Sequence, residues 1–544
     1  MELSRRSGFH PSHERPRPFR AIDLARLIDY LGSVHPISSE PATVQLEEKA
    51  LGQDVDGDLT HVPTPPGLPT KRKRIVDVIL LALLFLCPCL ISLRGSCADD
   101  LDIWWHLRTG EWMLQHHAVP HVDAFSGPAA GQPWLAYSWL FELIVTKLFF
   151  WKGLVGLAVY TSAMILAITV ALYRMVRRLQ ADTAVAVAVT FLAMFSMTRL
   201  FTPRPWLFTL LFFVLELDIL LRVRRTGSPR ALAWLPLIFA LWANVHIELV
   251  DGLLVLGFAL GDAVLTRNWP MPQPRVRPVW LGAALVASGL ATLVNPYGWR
   301  IYAVAHDLAT QAGALNKVSE LQSLPFRGIT DFLILLLAMG SAAALARSGR
   351  YVSFETGLLV FAAILSFRSQ RDIWVIAIVA AAILASSITR RKPAEGTPWK
   401  TDAWMAACVA ALLLVASFHL MRLSNDKLEN QLAQSLPIRA VEVVRERGYQ
   451  GPLFNTFDWG GYLIWKLRMP VSLDGRQNLY GDPRMDRSVA TWSGAPDWAS
   501  DPELKSAGLV IGPTSAPLTQ LLKTNSHFQL AYEDKLATIF VAKK

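Results

Sequence analysis

Charged residues are scarce in this chain. Of its 544 residues only 18% are Asp, Glu, Lys or Arg, whereas 52% are hydrophobic and the mean hydropathy is +0.32. Soluble domains carry roughly 25% charged residues, so a single soluble globule of this composition would have more apolar surface than it could bury. Disorder over most of the chain is excluded too, because disordered segments are poor in hydrophobic residues. The composition therefore predicts a polytopic membrane protein.

The sequence is also poor in cysteine and in nucleotide-binding motifs. Its four cysteines cannot form a disulfide framework. It contains no P-loop, no GxGxxG after a strand, no HExxH and no paired CxxC, so an ATP-driven pump is not supported. Cys87 and Cys89 flank Pro88 inside an apolar run, which is more typical of a kinked membrane span than of a metal site.

What the chain does contain is a series of about eleven apolar segments near bilayer length. Several of them are shorter than the roughly 20 residues that cross a bilayer without tilt or thinning. The pairs 231–245/249–265 and 355–367/373–388 are the weakest, because each could instead be a re-entrant hairpin. The predicted fold is mainly α, a membrane helix bundle whose spans are 75–93, 154–173, 183–198, 206–221, 231–245, 249–265, 279–294, 330–346, 355–367, 373–388 and 403–421.

Lysine and arginine are distributed unevenly around these segments. The formal net charge is +10, and basic clusters precede the first segment and follow the second, fourth, sixth, eighth and tenth. With eleven spans all of these clusters lie on one face, which the positive-inside rule makes cytoplasmic. The membrane topology thus explains the basic character, and no nucleic-acid partner is expected.

Two polar regions flank the predicted spans. Residues 1–70 are rich in Pro, His and Arg and are predicted to be a mostly disordered cytoplasmic tail. Residues 71–423 form the predicted transmembrane domain, with a large first external loop at 94–153. Residues 424–544 are predicted to be a small extracytoplasmic α/β domain, because helical and strand patterns alternate there. The clearest are a helix at Pro437–Arg447 and strands at Pro452–Phe454 and Ala537–Ala542.

The first external loop begins with a cluster of acids, Asp99, Asp100 and Asp102, directly after the first span. Asp100 and Asp102 could converge on one cation or one polar ligand if the backbone is irregular there. Carboxylates suit Mg, Mn or Ca, and the same group could instead act as a general base toward a hydroxyl. Acids after a first span are also common as plain structural features.

Aromatic and basic residues follow these acids, namely Trp104, Trp105, His106 and Arg108. The two indoles could stack on a sugar, but tryptophan is also common where a helix leaves the membrane. Further along the loop, Asp123 is either a ligand or a loop cap. Trp134 and Trp139 are interpreted as part of an amphipathic helix that lies on the surface.

Six more candidates lie in later turns. Arg204 stands between two prolines and could clamp a phosphate or reach toward the membrane edge. His246 and Glu248 lie near membrane depth, where ionisable groups are suspected of function, although a plain turn is the alternative. Arg371 could pair with a lipid phosphate. In the C-terminal domain, Asp474 and Arg476 lie on either side of Gly475 in a predicted turn. They could form an ion pair that faces a ligand, but we favour a structural role in which they hold the loop in place.

Several of these runs together resemble a group of bacterial integral membrane proteins related to the GT-C glycosyltransferase superfamily. The runs are Asp100-Leu101-Asp102-Ile103-Trp104-Trp105-His106, Asn295-Pro296-Tyr297-Gly298 and Asp458-Trp459-Gly460-Gly461-Tyr462. The similarity covers most of the chain from about residue 75 onward. Two positions differ from the group's pattern, since Ile247 replaces a Gly after His246 and Leu321 replaces a Trp after Glu320.

That superfamily includes protein O-mannosyltransferases and oligosaccharyltransferase catalytic subunits, which use sugars linked to polyprenyl phosphate. The resemblance implies a GT-C-like glycosyltransferase of a bacterial inner membrane that transfers a hexosyl or pentosyl group to an unidentified extracytoplasmic acceptor. Asp102 matches the acid that serves as base or metal ligand, with Asp100 beside it and Mg or Mn as the implied cation. The implied substrate-binding residues are Trp104, Trp105, His106, Arg108, Asp123, Arg204, His246, Glu248, Arg371, Asp474 and Arg476.

Two other functions remain as alternatives. A transporter or flippase of a lipid-linked or polar substrate would also have many spans, but its charges would lie at mid-span and its halves would be nearly symmetric. Here the charges cluster at the external ends of the spans. A non-catalytic envelope assembly protein would instead use the C-terminal domain to bind a partner.

Overall fold

The computed structural model describes residues 71–95, 100–266, 275–310, 318–348, 353–388 and 399–543. The predicted tail at 1–70 and Asp99 lie outside these residues. The described chain is mainly helical. Its first fourteen α-helices are α1 (Lys71–Gly95), α2 (Ile103–His116), α3 (Trp139–Lys152), α4 (Leu154–Leu179), α5 (Thr183–Ser196), α6 (Trp206–Thr226), α7 (Leu235–Val245), α8 (Leu249–Leu265), α9 (Pro278–Ala291), α10 (Arg300–Thr310), α11 (Ile329–Arg347), α12 (Ser353–Arg368), α13 (Ile373–Ser387) and α14 (Trp399–Leu420).

Each predicted apolar segment coincides with a helix. Helices are expected here because every backbone N–H and C=O must find a partner inside the segment when lipid surrounds it. Among the described residues, five helices are long and apolar enough to cross a membrane: Ile75–Leu93, Leu154–Leu179, Ile329–Arg347, Gln370–Ser387 and Ala403–Leu420. Three shorter apolar helices are Thr183–Ser196, Pro229–Val245 and Pro278–Ala291. The helices support a membrane protein, while the number of about eleven spans stays a prediction.

Helix α13 lies in the centre of the bundle. Its sequence is an almost continuous run of Ile, Val and Ala, and every residue of Ile373–Ile383 is buried. It packs against α4, α5, α11 and α12. A helix that is apolar on all sides belongs in the interior, so this packing is what its composition predicts. Because α13 begins just after Arg371, that turn is fixed at one end of the bundle.

The C-terminal residues form the predicted α/β fold. Strands β1 (Leu453–Asn455), β2 (Leu509–Pro513), β3 (Phe528–Glu533) and β4 (Ala537–Ala542) make one sheet in the order β1-β2-β4-β3. The β1–β2 pair is parallel and the other pairs are antiparallel. The helices here are α15 (Asn425–Leu432), α16 (Ile438–Arg447), α17 (Phe457–Leu467), α18 (Gln477–Trp492), α19 (Pro502–Lys505) and α20 (Pro517–Lys523). The predicted helix at 437–447 and closing strand at 537–542 are confirmed.

The first external loop packs against this C-terminal region. The Gly127 N–H donates to the Val471 carbonyl over 2.9 Å, the Val471 N–H donates to the Phe125 carbonyl over 3.3 Å, and α17 packs on α2. Trp134 is only 3% exposed and precedes α3, so its predicted place on a surface helix is wrong. Its indole lies between the ring of Trp105 and the guanidinium of Arg476, the latter at 4.8 Å from the ring centre.

Candidate functional site

A cavity of about 290 Å³ lies at one end of the bundle, where turns that are distant in sequence meet. It is bounded by the start of α2, the turn before α6, the α7–α8 and α12–α13 turns, the short helical turn Ser319–Leu321 and the turn at Gly475. Sequence reasoning placed most of these turns on one face, and the structure brings them together. The polar and aromatic lining residues include Asp102, Trp105, His106, Trp134, Tyr137, Arg204, Trp206, His246, Glu248, Asp251, Glu320, Arg368, Arg371, Asp372 and Arg476.

Arg204 collects three carboxylates at the wall of this cavity. Its Nε donates to Asp100 Oδ1 over 2.8 Å, and its Nη1 lies 2.7 Å from Asp102 Oδ2. Glu320 Oε1 is 3.4 Å from the same Nη1. Asp100 also accepts the backbone N–H of Asp102 over 3.0 Å, which bends the chain so that both acids face one guanidinium. The convergence of Asp100 and Asp102 on one cation is therefore real, and that cation is an arginine.

The position of Arg204 follows from its neighbours in sequence. Prolines on both sides restrict the backbone, and α6 begins directly afterward at Trp206. The guanidinium of Arg204 lies 4.8 Å from the centre of the Trp206 ring, and that of Arg371 lies 5.7 Å from it. One indole thus holds two arginines at the same depth, by attraction between a cation and an aromatic face.

Burial changes the proton affinity of both aspartates. The side chain of Asp100 is fully buried, and that of Asp102 is 21% exposed. Burial raises the pKa of Asp102 to about 7; Arg204 opposes the rise, and Asp100 and Glu320 add to it. Burial raises the pKa of Asp100 as well, against the effect of Arg204. A carboxyl group with a pKa near neutrality can take up and release a proton under ordinary conditions.

His246, Glu248 and Arg371 form a second polar group on the opposite wall. Arg371 Nη2 donates to Glu248 Oε1 over 2.8 Å, and His246 Nδ1 is 2.8 Å from the Thr209 hydroxyl. Burial opposes the ionisation of Glu248, but His246 and Arg371 outweigh it and lower its pKa to about 2. The Nε of Arg371 is buried and has no hydrogen-bond partner within the described residues, so this side chain retains an unused donor.

His106 pairs with a carboxyl group that sequence reasoning did not assign. Its Nδ1 lies 3.1 Å from Glu142 Oε1, and both side chains are buried. Burial lowers the pKa of His106 and raises that of Glu142, so both groups favour their neutral forms. The contact with Glu142 orients the imidazole of His106 beside the cavity.

Four predicted substrate-binding residues do not line the cavity. Trp104 is buried against Tyr462, with ring centres 5.1 Å apart, whereas Trp105 on the next position faces the cavity. Arg108 pairs with Glu111 away from it. The remaining two, Asp123 and Asp474, are buried behind the wall.

Those two buried acids share the guanidinium of Arg476. Arg476 donates from Nε and Nη2 to the two oxygens of Asp474 over 2.8 and 2.6 Å, and from Nη1 to Asp123. Asp123 also accepts the backbone N–H groups of Phe125 and Ser126, which makes it a loop cap. The alternative that these acids hold loops in place fits this geometry, since the network ties the first external loop to the C-terminal region.

Gly475 stands between these buried residues and the cavity. A Cβ atom added to it would lie 1.9 Å from Asp102 Oδ1 and 3.0 Å from Trp105 Nε1. No larger residue fits there unless the carboxylate moves. The C-terminal turn is thus one wall of the pocket that holds Asp102.

We expect Gly475→Ala to lower activity that depends on Asp102 by about 100-fold, because a displacement on the order of 1 Å in a reacting group costs about that much. The measurement is the rate of the reaction proposed below, with purified protein. Gly127→Ala is the matched control, since a Cβ there would make only ordinary contacts, the nearest at 3.8 Å. Equal rates for the two variants would contradict a role of this turn in placing Asp102.

A divalent cation has no ready set of ligands in this arrangement. No group of three or more His, Cys, Asp or Glu side chains that could hold a metal ion occurs in the part of the chain that the structure describes. Asp100, Asp102 and Glu320 instead share Arg204 as their counter-charge. The cation therefore remains a prediction from the sequence resemblance.

Sequence reasoning did not assign several residues of the site. Glu320 was noted only as a departure from a pattern, and Trp206 was not considered. Asp251, Arg368 and Asp372 lie within three residues of candidates that were chosen. Their position beside Glu248 or Arg371 in the sequence could have indicated that these three residues also line the site. Glu320 offered no local signal, because it lies in the helical turn Ser319–Leu321, which is too short to show a periodic pattern.

Comparisons with known proteins give faint similarities. No family model and no curated protein matches the chain. One similar solved structure is the archaeal oligosaccharyltransferase AglB from Archaeoglobus fulgidus in complex with an inhibitory peptide and a dolichol-phosphate, with 11% identity and a TM-score of 0.49 over 81% of this chain and 69% of that one. Another is the Archaeoglobus fulgidus oligosaccharyltransferase tethered with an acceptor peptide, with 13% identity and a TM-score of 0.48 over 87% and 74%. These are enzymes of the class that the motif resemblance names, but likenesses of this size are too slight to establish a shared fold.

Proposed function

We propose that this protein is a membrane glycosyltransferase that moves a sugar from a polyprenyl-phosphate-linked donor to a hydroxyl acceptor. The observation that carries the proposal is the cavity in which Asp102 and two arginines, Arg204 and Arg371, meet at the ends of apolar helices. Such a donor has its tail in lipid and its phosphate at the membrane surface. Its enzyme therefore needs cationic groups for the phosphate and a base for the acceptor, both at the same depth in the membrane.

The base in this proposal is Asp102. The acceptor oxygen attacks the anomeric carbon, the bond from that carbon to the phosphate oxygen breaks, and polyprenyl phosphate leaves with the electron pair. The acceptor proton passes to the Asp102 carboxylate. A single displacement of this kind inverts the anomeric centre. Arg204 holds the carboxylate in place at 2.7 Å, and Asp100 fixes Arg204 from behind.

The leaving phosphate is assigned to Arg371 and Arg368. Among the described residues the Nε of Arg371 has no hydrogen-bond partner, and Arg368, in the same turn, is exposed and lines the cavity. Arginine suits this task because its planar donors match phosphate oxygens. Val250, Leu308 and Leu365 supply apolar surface in the same cavity, where the first isoprene units of the donor would lie.

The test uses a strain that lacks the gene and the purified full-length protein. Lipid extracted from the strain, which would contain unused donor, is mixed with the protein and an acceptor extract. We expect free polyprenyl phosphate to be released and the sugar to appear on the acceptor, both read by mass spectrometry. A flippase would move the donor without cleaving it, and an assembly protein would leave it unchanged, so an intact donor pool would refute the proposal.

The rate should also depend on pH through Asp102. Its pKa is raised to about 7, and the base must be ionised, so activity is present above that pH and is lost as the pH falls below it. Between pH 6 and pH 8 the rate should rise about tenfold if this one group controls it. The measurement is the initial rate against pH for the wild type. A flat profile over this range would argue against Asp102 as the base.

A further inference from the structure

A second cavity, of about 630 Å³, lies at the other end of helix α6. Trp206, at the first turn of α6, lines the first cavity, whereas Arg222 in its last turns lines the second. At 1.5 Å of rise per residue these two positions are about 24 Å apart along the axis, close to the thickness of a bilayer core. The second cavity is thus at the opposite membrane surface from Asp102.

The lining of this cavity is strongly basic. Four arginines from the ends of α4 and α6 and from the segment before α7 surround it: Arg174, Arg178, Arg222 and Arg230. Its one acid is Asp218, which pairs with Arg178. Within the described residues the other three arginines have no hydrogen bond or ion pair to an acid. Thr226 and Ser228 add hydroxyl groups to the wall.

Neighbouring arginines of the same surface behave differently. Arg224 pairs with Asp262 and lies over the Phe354 ring at 4.4 Å, and Arg225 donates to the Arg178 carbonyl over 2.7 Å. Within the described residues, the arginines beside the cavity thus have partners, whereas Arg174, Arg222 and Arg230 inside it have no acid. Several like charges around one hollow repel each other unless an anion is present, so this arrangement fits an anionic ligand.

Apolar side chains continue from the basic cavity along the outside of α7. Trp234 lines the cavity and is 63% exposed, and Leu237 and Leu241 on the following turns are 53% and 45% exposed. They lie on one side of the helix at spacings of three and four residues. A free phosphate ion would make no favourable contact with this apolar strip of Trp234, Leu237 and Leu241, whereas the acyl chain of a lipid would pack against it.

We propose that this cavity binds the phosphate headgroup of an anionic phospholipid in the leaflet opposite to Asp102. The arginines without acids hold the headgroup, and the strip that begins at Trp234 receives an acyl chain. Basic hollows between membrane helices take anionic lipids for the same reason, since each nearby cation contributes about 1 kcal/mol. The proposal does not depend on the glycosyltransferase function.

Native mass spectrometry of the full-length protein in detergent tests this site. The probes are phosphatidylglycerol and phosphatidylcholine with identical chains, and inorganic phosphate in excess. For the double variant Arg222→Gln/Arg230→Gln we expect about 30-fold weaker binding of phosphatidylglycerol, from the loss of two cations. The matched control is Arg277→Gln/Arg347→Gln, which removes two exposed charges outside the cavity and should bind as the wild type does.

Three results would each overturn the proposal. The double variant could bind phosphatidylglycerol as tightly as the control does, or phosphatidylcholine could bind the wild type equally well. Displacement of the lipid by inorganic phosphate would show that a soluble anion is the ligand. Misfolding does not confuse the outcome, because Arg222 and Arg230 are exposed and the unfolding midpoint of each variant can be compared with that of the wild type.

Discussion

Replacing Asp102 by Asn is expected to lower the rate of sugar transfer by about 10² to 10⁴-fold, the usual contribution of a general base. The substitution keeps the size of the side chain and removes its ability to accept a proton. Arg204 keeps Asp100 and Glu320 as partners, so the wall of the cavity should remain intact. The measurement is the initial rate of polyprenyl phosphate release by purified protein at pH 8, where the wild-type carboxyl group is ionised.

Asp497→Asn is the matched control for this experiment. Asp497 is exposed, lies in the C-terminal region away from the cavity and undergoes the same chemical change. Its variant should transfer sugar at the wild-type rate. If Asp102→Asn did so as well, at equal expression and with an unchanged unfolding midpoint, Asp102 would not be the base.

Replacing Arg476 by Met is expected to destabilise the protein by about 3 to 5 kcal/mol, because the carboxylates of Asp123 and Asp474 would remain buried without their cation. Both are fully buried, and Arg476 is 2% exposed, so water cannot replace the lost partner. The midpoint of thermal unfolding in detergent should fall by about 10 °C. Tryptophan fluorescence reports the transition.

Arg439→Met is the comparison that separates buried from exposed ion pairs. Arg439 pairs with Glu442 over 3.1 Å, but its side chain is 79% exposed. Solvent screens such a pair, so no measurable shift of the midpoint is expected. Equal midpoints for Arg476→Met and the wild type would show that the first loop and the C-terminal region do not depend on this network.

The turns of the site could be predicted from the sequence because a membrane restricts the chain to two faces. With the predicted spans, Arg204, His246 and Arg371 are expected on the same face as Asp102, and the structure places all four around one cavity. The same reasoning could not select among neighbours. Trp104 and Trp105 are adjacent on α2 and point about 100° apart, and only the structure shows that Trp105 lines the cavity while Trp104 packs against Tyr462.

Contacts between distant segments were beyond the reach of sequence patterns. Asp123 and Arg476 are 353 positions apart, and neither has a neighbour that indicates the other. Glu320 reaches Arg204 from the three-residue helical turn Ser319–Leu321, which is too short to show a periodic pattern. The C-terminal fold was predictable for the opposite reason, since the strand at Ala537–Ala542 is marked locally by a short run of β-branched and aromatic residues.

The place of Gly475 has a bearing on how the protein is made. Synthesis runs from the N-terminus, so Asp102 emerges and its helices can insert long before residue 475 exists. Until the last quarter of the chain folds, the Asp102 carboxylate is not in contact with the backbone at Gly475. The nascent membrane portion therefore carries an unfinished pocket, and the wall beside Asp102 is complete only when the C-terminal region has folded.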